Sequence, residues 1–213
     1  MSLSLRQKKL IKTKHSLATA FAKKLKTQKF DQISIKDICA ETDVSEASFF
    51  NYFPQKIDVI AFLFKAKIFK TYWTIEPLQK TLSFTQCIEK TFECFVDEIK
   101  HPFIFFEMLS IIGMHKTQMA SFAISAEELQ CIYPHCSNAE KIHMHTMHEF
   151  FEEMIEHAIE KKQIPATICK KTLAQFLMII LTGVPLSIPI SEFTNLTETY
   201  RKHLSLLWRI FQL

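Results

Sequence analysis

The scarcity of glycine limits most strongly what this chain can fold into. Its 213 residues contain two glycines, Gly113 and Gly183, and seven prolines. Sandwiches and barrels reverse direction often, and their turns draw on residues that tolerate positive φ. A chain this poor in turn formers predicts long helices, and so an all-α fold. With 48% hydrophobic residues, 20 Phe and 8 Met among them, such helices have a sizeable core to share. The longest apolar run, Phe176 to Leu181, is far too short to span a bilayer. Ser2 to Lys29 is amphipathic and Lys-rich, without the continuous apolar core of a secretory signal. The six cysteines, Cys39, Cys87, Cys94, Cys131, Cys136 and Cys169, form no C-x-x-C pair. Several occupy apolar helical positions, where a thiol acts as a small hydrophobe. A cytoplasmic protein with reduced thiols is expected.

Charge divides the chain. Residues 1–70 hold 14 Lys and Arg against 6 Asp and Glu, a net of +8, whereas the remainder holds 12 against 16, a net of −4. A basic amino-terminal block on a mildly acidic body is an electrostatic footprint for a polyanion. Ser4 and Gln7 form an S-x-x-Q capping box that opens a helix to Lys26, with Ile11, Ala18, Phe21, Ala22 and Leu25 on one stripe. Lys8, Lys9, Lys12 and Lys14 load its first half, where they are well placed to touch phosphates.

Inside that block lies Ile33 to Lys56, ISIKDICAETDVSEASFFNYFPQK. Two short helical patterns are separated by Thr42-Asp43-Val44. Ser34 opens the first, with Asp37 in its first turn to complement the helix dipole. Asp43 stands where a tight turn needs tolerance of the left-handed region. Val44 plugs the space between the helices. Ser45 caps the second, which runs to about Tyr52 before Pro54. Two short helices at a sharp angle form a helix-turn-helix, whose second helix can enter the major groove. A further amphipathic helix follows from Gln55 to Lys70, and Pro77 marks the domain boundary.

The rest reads as a series of helices. Ser83 with Gln86 caps a helix ended by His101-Pro102. Phe103 to Gly113 is apolar enough to be buried nearly all round, and Thr117 to Tyr133 is weaker. Ser137 and Glu140 form a capping box that opens a long helix to about Lys162. Ile168 to Leu186, and a final helix capped by Asn195 with Glu198 and running to Phe211, are apolar over more than one narrow stripe. These last two helices can pair with their copies in a second subunit as a four-helix bundle.

Ser34, the Ile35…Asp37-Ile38-Cys39-Ala40 run, Val44-Ser45, Ser48 and above all Tyr52-Phe53-Pro54 followed by Lys56 resemble the DNA-binding signature of the TetR family of bacterial transcriptional regulators. The position matches too, with one helix before it and a helical body after it. The resemblance implies an all-α homodimer: a three-helix DNA-binding domain (1–56), a connecting helix (57–76) and a larger domain (77–213) that binds a small hydrophobic effector and dimerises. It implies a repressor that holds a palindromic double-stranded DNA operator until the effector releases it. Carried over, Ser34 touches phosphate, Ser45, Ala47, Ser48 and Phe50 face the groove, Asn51 and Tyr52 reach backbone or base edges, and Lys56 clamps a phosphate. Phe49 and Phe53 belong to the core. Glu46 stands where a basic or neutral residue is common, Phe50 replaces a frequent Tyr, and Asp43 replaces the usual turn glycine. The effector pocket is expected to be mostly apolar, lined by Phe92, Phe95, Phe106, Met108, Met147, Phe151 and Phe176, with His115 or His148 as polar anchors. The dimer interface is expected at Phe176, Ile180, Val184, Leu204, Leu207, Trp208 and Phe211.

One other chemistry competes. His135, Cys136, Glu140, His143, His145 and His148, with Cys131 nearby, suggest a metal- or redox-sensing protein built on the Cys131–His148 segment. Only one Glu-x-x-His is present, from Glu140 to His143, where a helical di-metal site wants two. Pairing of His with Glu149 and Glu152 at i+4 accounts for these histidines without a metal. There is no Gly-rich phosphate loop, nucleophile elbow or triad, so neither an enzyme nor a cofactor or metal site is expected.

Overall fold

The computed structural model describes residues 4–98, 102–135 and 146–213. Among them there are ten α-helices and no strand, the all-α fold that the shortage of turn formers implies. They are α1 (Leu5–Leu25), α2 (Ile35–Thr42), α3 (Glu46–Tyr52), α4 (Lys56–Ile75), α5 (Phe84–Glu98), α6 (Pro102–Ser121), α7 (Ala126–Ile132), α8 (Met147–Glu160), α9 (Lys170–Ser187) and α10 (Leu196–Phe211). By packing, the chain divides into two compact units, residues 1–69 with 103–143, and residues 70–102 with 144–213.

In the first unit, the Ser4 side chain accepts from the Gln7 amide while Gln7 reaches back to the Ser4 amide, the reciprocal cap that starts α1. Ser34 and Ser45 cap α2 and α3 by accepting from the amides three residues on. The core joins Leu17, Ala18, Phe21 and Leu25 of α1 to Ile38 and Cys39 of α2, Phe49 of α3, Phe53, and Ile57, Ile60 and Ala61 of α4. Ile111 adds α6 to that core, and α7 packs on α1. Lys14 departs from the exposed basic face expected of it. Its ammonium lies 5.1–5.6 Å from the rings of Phe53, Phe62 and Phe122 and 2.6 Å from Glu128 of α7. Three aromatic faces and a carboxylate can hold a charge that has left water. Lys65 similarly donates to the Phe122 carbonyl.

The second unit packs α5, α8, α9 and α10 together. Phe92 of α5 meets Tyr200 of α10 edge-on at 4.9 Å and Phe151 of α8 at 6.0 Å. Leu173, Leu177 and Leu181 of α9 and Leu196, Leu204 and Leu207 of α10 complete the interior. Ser83 and Gln86 form their reciprocal cap ahead of α5.

Several elements differ from the sequence reading. The stretch Phe103–Gly113 is not buried all round: Phe105 and Ile111 are inside, while Phe103, Ser110 and Gly113 are exposed. Its helix continues past Gly113 to Ser121, with non-helical dihedrals at His115. The long helix expected from Ser137 to Lys162 begins, in its described part, at Met147. Thr146 is extended there and forms a capping box with Glu149, so no helix runs through it. Ser137 and Glu140 lie outside the described residues. Asn195 holds the cap position of α10 but makes no side-chain cap bond, because a short 3-10 turn, Ile190–Asn195, feeds directly into that helix.

Candidate nucleic-acid interface

The helix-turn-helix is built by its caps. Thr42 ends α2, and Asp43 takes the left-handed conformation (φ 55°, ψ 44°), which turns the chain in one residue. The Val44 amide closes the turn on the Cys39 carbonyl at 3.0 Å, and Val44 packs against the core as the plug between the helices. Ser45 then starts α3. Burial, with Glu46 nearby, pushes the Cys39 thiol above its ordinary value, so it stays a protonated core residue.

Turned this way, α3 buries Phe49 and leaves Glu46, Ala47, Phe50 and Asn51 exposed. Phe53, which follows the helix, is also buried, so Phe49 and Phe53 lie in the core as expected. Ser45 donates to the Ser48 hydroxyl at 2.9 Å, so these two candidate groove residues are coupled to each other. Tyr52 is half-buried against the core. Ser34 is half-buried and spends its oxygen on the Asp37 amide. Lys56 lies at the start of α4, where its ammonium donates to the Asp31 carbonyl at 3.2 Å and sits 4.8 Å from the Phe30 ring. Burial lowers its pKa, with Asp31 opposing. Arg6, Lys8, Lys9 and Lys12 of α1 and Lys36 of α2 are exposed in the same unit.

One contributor carried no sequence signal. Glu107 of α6 accepts the Phe30 amide at 2.6 Å, from 77 positions away. It thereby anchors the turn that holds Lys56. No local pattern marks such a carboxylate.

The candidate pocket residues divide between the two units. Phe106, Met108 and His115 belong to the first; Phe92, Phe95, Met147, His148, Phe151 and Phe176 belong to the second. Phe92, Met147 and Phe151 are buried within the second unit, and Phe176 is exposed. A cavity there of about 10 Å³, lined by Leu82, Phe84, Cys87, Met154 and Ala158, has room for one water at most. A groove of about 370 Å³ is lined by Tyr72, Glu76, Lys80, Glu153, His157 and Glu160. Burial and Glu153 push the Tyr72 phenol up to about 12.

Of the candidate dimer residues, Val184, Leu204, Leu207 and Trp208 turn into the core of their own unit. Phe176 is exposed, Ile180 and Phe211 are half-buried, and the Phe176 and Phe211 rings meet at 5.8 Å. The outward apolar residues beside them are Ile179, Leu186, Leu206 and Ile210.

Cys136, Glu140, His143 and His145 lie outside the described residues. His135 is exposed, and His148 approaches Glu152 at 3.9 Å, the i+4 pairing expected of it. Among the described residues no three His, Cys, Asp or Glu side chains converge as a metal requires, and no helix is long and apolar enough to cross a membrane.

Among the described residues every regular element is helical, α2 and α3 form a tight helix-turn-helix, and the fold is that of a solved transcriptional regulator. It is similar to the crystal structure of a transcriptional regulator from Cytophaga hutchinsonii ATCC 33406, at 14% identity and a TM-score of 0.55, over 92% of this chain and 97% of that one. It is also similar to a gamma-butyrolactone receptor (ArpA like protein), at 12% identity and a TM-score of 0.43, over 92% and 98% of the two chains. At these identities the likeness is one of fold. No family model matches the chain, and no curated protein matches it.

Proposed function

We propose that the protein is a DNA-binding transcriptional repressor of the TetR type. It holds a palindromic operator as a homodimer and is released by a small hydrophobic effector. Residues 1–56 bind DNA, 57–76 connect, and 77–213 bind the effector and dimerise. The observation that carries this reading is the turn at Asp43. One left-handed residue between two serine-capped helices presents the Glu46, Ala47, Phe50 and Asn51 face of α3 to solvent. The surrounding basic residues supply the attraction to phosphate that such a face needs. Phe176, Ile179, Leu206 and Ile210, exposed on the packed pair α9 and α10, are the surface assigned to the second copy.

A gel-shift titration over duplexes from the DNA upstream of its own gene and its neighbours tests the reading at several salt concentrations. The wild-type protein is expected to bind one site, with log affinity falling linearly in log salt. Changing Tyr52 and Lys56 together to Ala is expected to weaken binding about tenfold or more, and to flatten the salt slope by about one because a lysine no longer meets a phosphate. Neither residue is fully buried, so the variant is expected to keep its helical circular dichroism. Wild-type affinity in the double variant removes the two residues from the interface. Absence of any salt-dependent complex with wild-type protein removes the function.

A further inference from the structure

The outward face of α3 has an unusual composition. Its seven residues, Glu46–Tyr52, contain no Lys or Arg. The commonest specific contact to DNA, a basic side chain on the O6 and N7 acceptors of guanine, is therefore missing from this helix. In its place α3 projects an aromatic ring: Phe50 is 46% exposed. That ring is held in position. It stands edge-on to Phe49 at 5.3 Å with the planes 83° apart, and Phe49, fully buried, leans in turn on Phe53 at 5.6 Å. An apolar ring cannot donate to a phosphate or pair with a base edge. In the major groove it has one base-specific partner, the C5 methyl of thymine. The exposed Arg6, Lys8, Lys9, Lys12 and Lys36 leave α3 little need to supply charge itself.

We propose that Phe50 reads a thymine methyl, so that each operator half-site carries a thymine under α3. This rests on the DNA-binding reading above and adds the base that the helix selects. Ala47, one turn before Phe50 on the same face, leaves room for the ring to approach the base.

The test uses the full-length protein and duplexes that it enriches from a random-sequence pool. Each thymine of an enriched half-site is replaced in turn by deoxyuridine, which keeps every hydrogen-bonding group and removes only the methyl. At one position per half-site the substitution is expected to weaken binding about fourfold, the weight of one methyl taken from water. Phe50→Ala is expected to bind the thymine and uracil duplexes equally, and Phe50→Leu to retain discrimination. Phe50 lies outside the core, and unchanged thermal unfolding of both variants serves as the folding control. If wild-type protein enriches no sequence, the DNA-binding reading falls and takes this inference with it. If it enriches a site in which no thymine responds to loss of its methyl, or if Phe50→Ala still discriminates, the inference alone is overturned.

Discussion

Pro185 lies inside α9 and has no amide hydrogen, which leaves the Leu181 carbonyl four residues earlier without its helical partner. Tyr200 of α10 supplies the replacement, its hydroxyl donating to that carbonyl at 2.6 Å. The side chain is buried and braced edge-on against Phe92. Burial pushes the phenol well above its ordinary value, so the proton stays on the oxygen and the group remains a donor across the physiological range. One hydroxyl thus lets a helix carry a proline and ties α9 to α10. Tyr200→Phe removes the donor while keeping the ring, and strands a carbonyl away from water. The expected cost is about 1–3 kcal/mol, read as a lower urea midpoint with an unchanged slope. An unchanged midpoint would mean that water satisfies the carbonyl instead.

At the scale of elements, the helices are held by interactions of two kinds. The local kind was legible in the sequence. Ser4 with Gln7, Ser34, Ser45 and Ser83 with Gln86 each act over three residues, so residue type and spacing suffice to find them. Asp43 was legible because few residues other than glycine accept the left-handed region. Thr146 with Glu149 obeys the same rule. It competes in the sequence with Ser137 and Glu140, because the apolar periodicity that follows suits either start. The second kind is long-range and left no local trace. Glu107 on α6 meets Phe30, and Glu128 on α7 both caps its own helix at the Ser125 amide and pairs with Lys14. Glu107→Ala is expected to release the Phe30 amide, a charge-assisted bond that contributes about 1.5–3 kcal/mol. Hydrogen exchange at Phe30 should then accelerate about tenfold or more while amides in the middle of α1 keep their protection, and Glu107→Gln should restore much of the effect. Equal exchange in wild type and the alanine variant would show that α6 does not hold the turn.

For the whole molecule the sequence separated function by charge more clearly than by hydrophobicity. The net of +8 in residues 1–70 coincides with the segment that carries the helix-turn-helix. The apolar pattern of the last two helices was less decisive. Their stripes are wide enough to serve two faces at once, and periodicity alone cannot say which face turns inward. The fold assigns Val184, Leu204, Leu207 and Trp208 to the interior and leaves Ile179 61% and Ile210 72% exposed. In the proposed homodimer these exposed aliphatic residues on the packed pair α9 and α10 are the surface that the second copy covers, in the closed two-fold arrangement that is commonest among oligomers. Because both isoleucines are open to solvent within one subunit, replacing them by Glu should leave the fold of each subunit intact. Across an interface the same change places unpaired carboxylates against apolar surface. The double variant Ile179→Glu, Ile210→Glu is therefore expected to sediment as a monomer at micromolar concentration, where the proposed wild-type dimer is expected to sediment as a dimer, with unchanged helical content. On a palindromic duplex it should bind each half-site independently and more weakly, since a linked second site contributes by effective concentration. A variant that still sediments as a dimer would place the subunit interface on another surface.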